Sequence, residues 1–308
     1  MNKIIKYIKK PSNVLLYLMN KNFFKWIPDE KYIKIKYKLE MNQKFNLKEP
    51  RTFNEKLQWL KLYDRKPEYT KMVDKYEAKK YVANIIGKKY IIPTLGVWDK
   101  FEDIDFTKLP NQFVLKPTHA SGNVFICKNK DEIDYKKLKK TVQKWLKRNY
   151  YLVHREWPYK NVKPRIIAEE YMEDQIGELI DYKVYAFNGQ CDYVMVCFDR
   201  IKGETKFIYY DRNWNIKKEF SKDGIKYGDT IKIEKPKNLD KMFEFAEILS
   251  KNIPFVRVDF YESNGNLYFG ELTFYPSAGF DNTRTKDCQE YLDKQLKVGE
   301  SKWKVLVF

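Results

Sequence analysis

The segment VRVDFYESNGNLYFGELTFYPSAG, residues 256–279, constrains this chain more than any other. Two apolar, strand-like runs flank Asn264-Gly265, a dipeptide that adopts positive φ readily and is a strong hairpin signal. Each run carries one acid among apolar residues, Asp259 and Glu271. A two-residue turn pairs residue 263 with 266, sets Asp259 opposite Gly270 and sends Glu271 to the other face. A three-residue loop with a bulge pairs 263 with 267 and sets the two acids opposite each other on one face. Like charges so placed repel unless a cation lies between them. Mg²⁺ suits that place, since it is hard, takes carboxylate oxygens and brings phosphates. In the shorter register one acid is buried and the other exposed. The sequence leaves both registers open, and the metal reading requires the bulged loop.

The rest of the chain reads as α+β, with antiparallel sheets flanked by helices. Residues 53–86 have helical spacing and end at Gly87, a natural C-cap. Pro93 and Gly96 break YIIPTLGVWDKF into short strands. NQFVLKPTH and NVFICK form a hairpin, and the segment from Asp131 to Tyr151 is an amphipathic helix. DYKVYAFNGQCDYVMVCFD is a second hairpin around Asn188-Gly189. NLDKMFEFAEILSKNI is a helix entered through Asn238 or Asp240.

Three further stretches carry chemistry. In FVLKPTHASG, Lys116 closes an apolar strand and places a compact charge at the sheet's edge, where a phosphate can meet it. Thr118, His119, Ser121 and Gly122 follow as donors, and Gly122 lets the backbone approach an anion. Neither GxxxxGK[ST] nor GxGxxG occurs. In RIIAEEYM, Glu169 and Glu170 end an apolar strand, where they either meet an amino group or ribose hydroxyls or guard an edge. In DYKVYAFNG, Lys183 shares a strand face with Asp181 and Tyr185, so it either snorkels or faces a ligand.

The bulk numbers exclude several classes. Net charge is +18 over 308 residues. Of the 60 basic residues 51 are lysine, whereas bidentate phosphate or base recognition favours arginine, so no specific nucleic-acid role is expected. Four cysteines without CxxC spacing and two histidines argue against zinc and for buried thiols in a reducing cytosol. The lysine-rich N-terminus has an apolar run, Val14–Met19, too short to span a bilayer and no cleavage site of a signal peptide. It reads as a helical extension packed on the body, or as an amphipathic segment lying on an anionic membrane surface.

In order, FVLKPTHASG, AEEYM, DYKVYAFNG and VRVDFY…FGELTFYPSAG resemble the ATP-grasp superfamily, in its branch named for teichuronopeptide biosynthesis (TupA-like). RTFNEKLQWLKLYDR and DKYEAKKYV resemble the same branch, and the resemblance covers roughly residues 50–285. It implies ATP held between two antiparallel sheets in two α+β subdomains. The divisions would be a basic amphipathic segment (1–50), a mostly helical region (51–112), a first ATP-grasp subdomain (113–180) and a second (181–308).

The resemblance also implies roles. Lys116 would touch the α/β-phosphates, with Lys79 or its neighbour Lys75 as an earlier phosphate-side lysine. His119, Ser121 and Gly122 would form the loop over the phosphates. Glu169, Glu170 and Tyr171 would be the hinge at the adenine, with Glu178 at the ribose and Lys183 at the γ-phosphate. Arg257 and Arg200 would stabilise the transferred phosphoryl group. Asp259 and Glu271 would hold Mg²⁺, with Thr273 where the superfamily usually has Asn.

The implied reaction is carboxylate–amine ligation through an acyl phosphate. The carboxylate would be a uronic acid of a cell-surface polysaccharide or precursor, and the amine an amino acid or amino sugar. The setting would be the cytoplasm or the inner face of the membrane. The rivals are a sugar or lipid kinase, which needs the same cations, and a glycosyltransferase, whose metal motif is matched only by Asp103-Ile104-Asp105.

Overall fold

The computed structural model describes residues 11–173, 179–199, 203 and 205–299. Its helical start has two parts. Helices α1 (Pro11–Asn20) and α2 (Asp29–Met41) come first, α2 opening on Asp29 and Glu30 and closing at Asn42 with φ 54°. Helices α3 (Phe53–Tyr63), α4 (Glu68–Val73) and α5 (Glu77–Ile86) follow. A reciprocal cap between Thr52 and Glu55 starts α3, and Gly87 at φ 106° ends α5 as its spacing predicts.

The first sheet is built from β1 (Thr94–Trp98), β2 (Phe113–Pro117), β3 (Phe125–Cys127) and β4 (Ile166–Glu170), in the antiparallel order β1-β4-β2-β3. Strand β1 falls in YIIPTLGVWDKF, where short strands are expected within an otherwise mostly helical region, so this sheet begins upstream of residue 113. Alternation along β2 buries Phe113 and Leu115 and turns Val114 and Lys116 to the other face. Helix α6 (Tyr135–Lys147) covers the buried face with Leu138, Val142 and Trp145, spaced for one helical stripe. The short α7 (Tyr151–His154) leads back towards β4.

The second sheet is larger. Strands β5 (Asp181–Ala186), β6 (Tyr193–Phe198), β7 (Lys206–Asp211), β8 (Val256–Ser263) and β9 (Asn266–Thr273) run in the antiparallel order β7-β6-β5-β8-β9. Between β7 and β8 come α8 (Lys222–Tyr227) and α9 (Leu239–Leu249), and α10 (Lys286–Gln295) follows β9. Asn188-Gly189 and Asn264-Gly265 make two-residue turns with both residues at positive φ. Helix α9 lays Met242, Phe243, Ala246 and Leu249 into the main core. Each large side chain so buried stabilises the fold by about 1.5–3 kcal/mol.

The β8–β9 register corrects the expectation about the loop. The turn is the short one, Ser263 opposite Asn266, yet Asp259 lies opposite Glu271. The extra residue sits inside β9, at Gly270, where the register shifts. Phe269 therefore faces Phe260 in the core while Glu271 and Thr273 share the face of Asp259 and Arg257. Glycine is needed there, because a Cβ would lie 2.9 Å from the Tyr261 ring and 3.0 Å from the Asp259 carbonyl oxygen. All four cysteines are buried and unbridged.

Candidate functional site

The two sheets face each other across a cleft of about 490 Å³. Lys116 and Val114 reach it from the exposed face of β2, and Glu169, Glu170 and Tyr171 from the end of β4. Asp181 and Lys183 reach it from β5, and Glu271 from β9. Ser121, Gly122 and Asn123 form one rim, with Gly122 at φ 76° and no atom within 4 Å of where its Cβ would stand. Lys75 enters beside that rim, because its backbone N–H donates to the Thr118 carbonyl at 3.1 Å. Ile92, Val114 and Ile126 supply apolar wall.

Glu169 anchors the first side. It is buried, with one oxygen 2.6 Å from Lys79 Nζ and the other 2.7 Å from Lys116 Nζ. Burial by itself raises its pKa, but Lys116 and Lys79 outweigh burial and hold it at about 2. Lys79 is also buried, and burial lowers its pKa against the pull of Glu169.

Asp259 anchors the second side. It is fully buried, and Arg257 clamps it through Nε at 2.6 Å and Nη2 at 2.7 Å. Lys183 Nζ donates to it at 2.7 Å and also pairs with Asp181 at 3.1 Å. Arg257 reaches on to Thr273 Oγ1 at 3.1 Å and Glu271 at 3.6 Å. The cation between the two acids in this structure is thus the Arg257 guanidinium. Burial raises the pKa of Glu271, but Lys75, Arg257 and Lys183 outweigh it and hold it at about 2. About a third of the Glu271 side chain is exposed, so solvent screens part of that effect.

Several predicted residues stand elsewhere. His119 is buried and bonds the Trp145 carbonyl through Nε2 at 3.1 Å, so it fastens the loop to α6 and does not line the cleft. Lys79 also stays out of the lining, since its amine is spent on Glu169 and on the Ile92 carbonyl at 2.7 Å. Lys75, the neighbour named with it, takes the cleft position. The Glu169 oxygens are both committed to lysines, which leaves Glu170 and Tyr171 as the open hinge groups. Glu178 and Arg200 lie outside the described residues. Asp105 caps a short turn by accepting from the Thr107 N–H at 3.1 Å, so the D-x-D pair is a loop feature.

Among the charged residues of the cleft, two escaped the sequence reading. Asp181 is buried beside Lys183, and its signal was the shared face of DYK. Lys128 follows Val124 and Ile126 at strand spacing, a pattern readable only once β3 is known to border the cleft.

Among the described residues no three His, Cys, Asp or Glu side chains gather into a ready metal cage. The donors present are two carboxylates and a hydroxyl: Asp259, Glu271 and Thr273. Of the three only Glu271 lines the cleft, while Asp259 is fully buried and bonded by Arg257 and Lys183. One cleft carboxylate still fits Mg²⁺ carried in by a phosphate ligand, because Mg²⁺ keeps waters and phosphate oxygens and needs only one or two carboxylates from the protein.

The TupA-like ATP-grasp family matches residues 55–297. The chain belongs to that family. The two facing antiparallel sheets, with helices before them, are its ATP-grasp fold. No curated protein matches the sequence. Among solved structures, the D-alanine–D-alanine ligase from Bacillus anthracis complexed with ATP is 18% identical with a TM-score of 0.40, the match covering 66% of this chain and 55% of that one. The ATP-grasp ligase PsnB complexed with minimal precursor, Mg and ADP is 14% identical with a TM-score of 0.41, covering 79% of this chain and 66% of that one. D-cycloserine synthetase DcsG is 12% identical with a TM-score of 0.38, covering 74% and 71%.

Proposed function

We propose that this ATP-grasp protein is an ATP-dependent carboxylate–amine ligase that works through an acyl phosphate. One observation carries the reading: lysines from four separate stretches converge on a cleft whose far wall presents Glu271, paired in register with the buried Asp259. Such a cleft is built to gather phosphates, since four lysines, Lys75, Lys116, Lys128 and Lys183, line it. Lys116 and Lys75, with Ser121 and Gly122, are assigned to the phosphate chain, and Glu170 and Tyr171 to the adenine. Lys183 and Arg257 are assigned to the transferred γ-phosphoryl group, with Arg200 as a further candidate and Glu178 at the ribose. Mg²⁺, held by Asp259, Glu271 and Thr273, would neutralise phosphate charge when bound.

The chain's own groups then do the positioning. Lys183 and Arg257 face the developing charge as a substrate carboxylate attacks the γ-phosphorus and ADP leaves. The amine displaces phosphate from the acyl phosphate and gives up a proton, leaving an amide. No side-chain nucleophile is required. The proposed carboxylate belongs to a uronic acid of a bacterial capsular or teichuronic-type polysaccharide or its precursor, and the amine to an amino acid or amino sugar. A net charge of +18 favours an acidic glycan. A lipid-linked precursor would bring the enzyme to the inner face of the cytoplasmic membrane.

The test is trapping. The chain is incubated with Mg–ATP, hydroxylamine and a panel of uronic acids, and ADP and hydroxamate are measured together. Equal yields of both support the ligase. ADP with a phosphorylated sugar and no hydroxamate means a kinase.

A further inference from the structure

The first 28 residues hold six lysines, at positions 3, 6, 9, 10, 21 and 25, and no acid. The described part of this stretch also concentrates exposed apolar surface. Trp26 is 74% exposed and Phe23 65% in the turn after α1, and Tyr17 is 51% exposed on α1, where Val14 is exposed too. Elsewhere in the described chain such residues are scattered singly or as near neighbours in the cleft wall, Val124 and Ile126.

The turn carrying Phe23 and Trp26 is held firmly. Arg155 is fully buried, in a left-handed conformation at φ 55°. Its Nη2 donates to the carbonyls of Phe24 at 3.1 Å and Ile27 at 3.2 Å, and its guanidinium lies 4.2 Å from the centre of the Tyr32 ring. Lys36, also fully buried, donates to Asn20 and to the Val153 carbonyl, both at 2.6 Å. Arg155 thus fixes the backbone of the turn, and Lys36 ties the Asn20 side chain at the end of α1 to the body, while the Phe23 and Trp26 side chains stay largely in solvent. Burying a charge is costly, and here that cost serves to hold a surface in place.

We infer that α1 and the Asn22–Ile27 turn form a docking surface for an anionic lipid bilayer. Trp and Phe would enter the headgroup boundary, where amphipathic aromatic rings are favoured. Lys21 and Lys25 supply the charge complement, at about fivefold in affinity for each one near the surface. Self-pairing of this patch would set lysine against lysine. None of these residues lines the cleft, so the inference stands or falls apart from the ligase reading.

The full chain is sedimented with vesicles of phosphatidylglycerol and phosphatidylcholine, and with vesicles of phosphatidylcholine alone, at low and high salt. The expected result is binding to the anionic vesicles only, weakened by salt, and lowered at least tenfold both in Phe23→Ala/Trp26→Ala and in Lys21→Glu/Lys25→Glu. An unchanged melting temperature shows each variant folded, and the second pair decides if the first melts early. Absence of binding to anionic vesicles overturns the inference, as does binding by both folded variants at the strength of the wild type. A lipid-free dimer that dissociates in Phe23→Ala/Trp26→Ala, without vesicle binding, assigns the surface to a second copy instead.

Discussion

The two walls of the cleft each bury one carboxylate between two cations, and they differ in how replaceable that carboxylate is. Glu169 is the acid bonded by both Lys79 and Lys116, and Lys79 is otherwise tied to a backbone carbonyl. The Asp259 cluster is redundant. Lys183 also holds Asp181, and Arg257 also holds Thr273 and Glu271. The first arrangement fastens α5 to the first sheet through Lys79 and meets the cleft through Lys116. The second has an open end at Glu271, where a ligand can exchange partners with the protein. A clamp serves architecture when it has no alternatives, and serves binding when it has several.

The sharpest way to break that contrast is Glu169→Gln. It leaves Lys79 and Lys116 without their acid, and should cost about 3–5 kcal/mol in urea unfolding. Asp259→Asn removes an equally buried charge, yet the remaining partners should limit the loss to about 1.5–3 kcal/mol. The same variant should lose Mg²⁺-dependent nucleotide binding. Equal stability losses in the two would erase the distinction.

Acid titration sharpens the Glu169 clamp further. The Glu169 pKa is held at about 2 when folded, below its ordinary 4.5. Its contribution is therefore fully present above pH 4.5 and lost as pH falls towards 2. The size is roughly 3 kcal/mol before the opposing burial of Lys79 is subtracted. The wild type should show a steeper stability loss over that range than Glu169→Gln.

Gly270→Ala tests the open side without touching a charge. The added methyl meets the Tyr261 ring and the Asp259 carbonyl, and should cost about 1–3 kcal/mol. Nucleotide affinity should fall with it, since the bulge is what turns Glu271 towards Asp259. The smallest effect is expected from His119→Gln, which loosens the loop's tie to α6 by about 1 kcal/mol and leaves nucleotide affinity within twofold. A large loss of affinity there would restore His119 to the phosphate loop.

The hairpins, the α5 stop at Gly87 and the cleft face of Lys116 were legible because turn residues and alternation are local signals. The bulge was not. Asn264-Gly265 left the short turn and the bulged loop open, and the extra residue that sets Asp259 opposite Glu271 was expected in the loop, where it is not. Only packing shows that the extra residue is Gly270, since Phe269 must reach the core opposite Phe260. Lys79 lies on α5 and Lys75 in the turn just before it, and sequence named both. Which one meets the cleft depends on where Glu169 lands, a contact ninety residues away. His119 looked like a loop donor because nothing local announces the Trp145 carbonyl that captures it.

The central claim is that the open clamp and the lysines facing it form a nucleotide site. The most direct test is the melting shift caused by Mg–ATP in the wild type and in Lys75→Ala/Lys128→Ala, beside a panel of UDP- and GDP-sugars. At about 100 times its Kd a ligand adds roughly 2.7 kcal/mol, a shift of several degrees for a chain of this size. The account predicts that shift for Mg–ATP alone, and its loss in the double variant with the ligand-free melting temperature kept. Stabilisation by a nucleotide-sugar and not by ATP, or an undiminished ATP shift in the double variant, would contradict it.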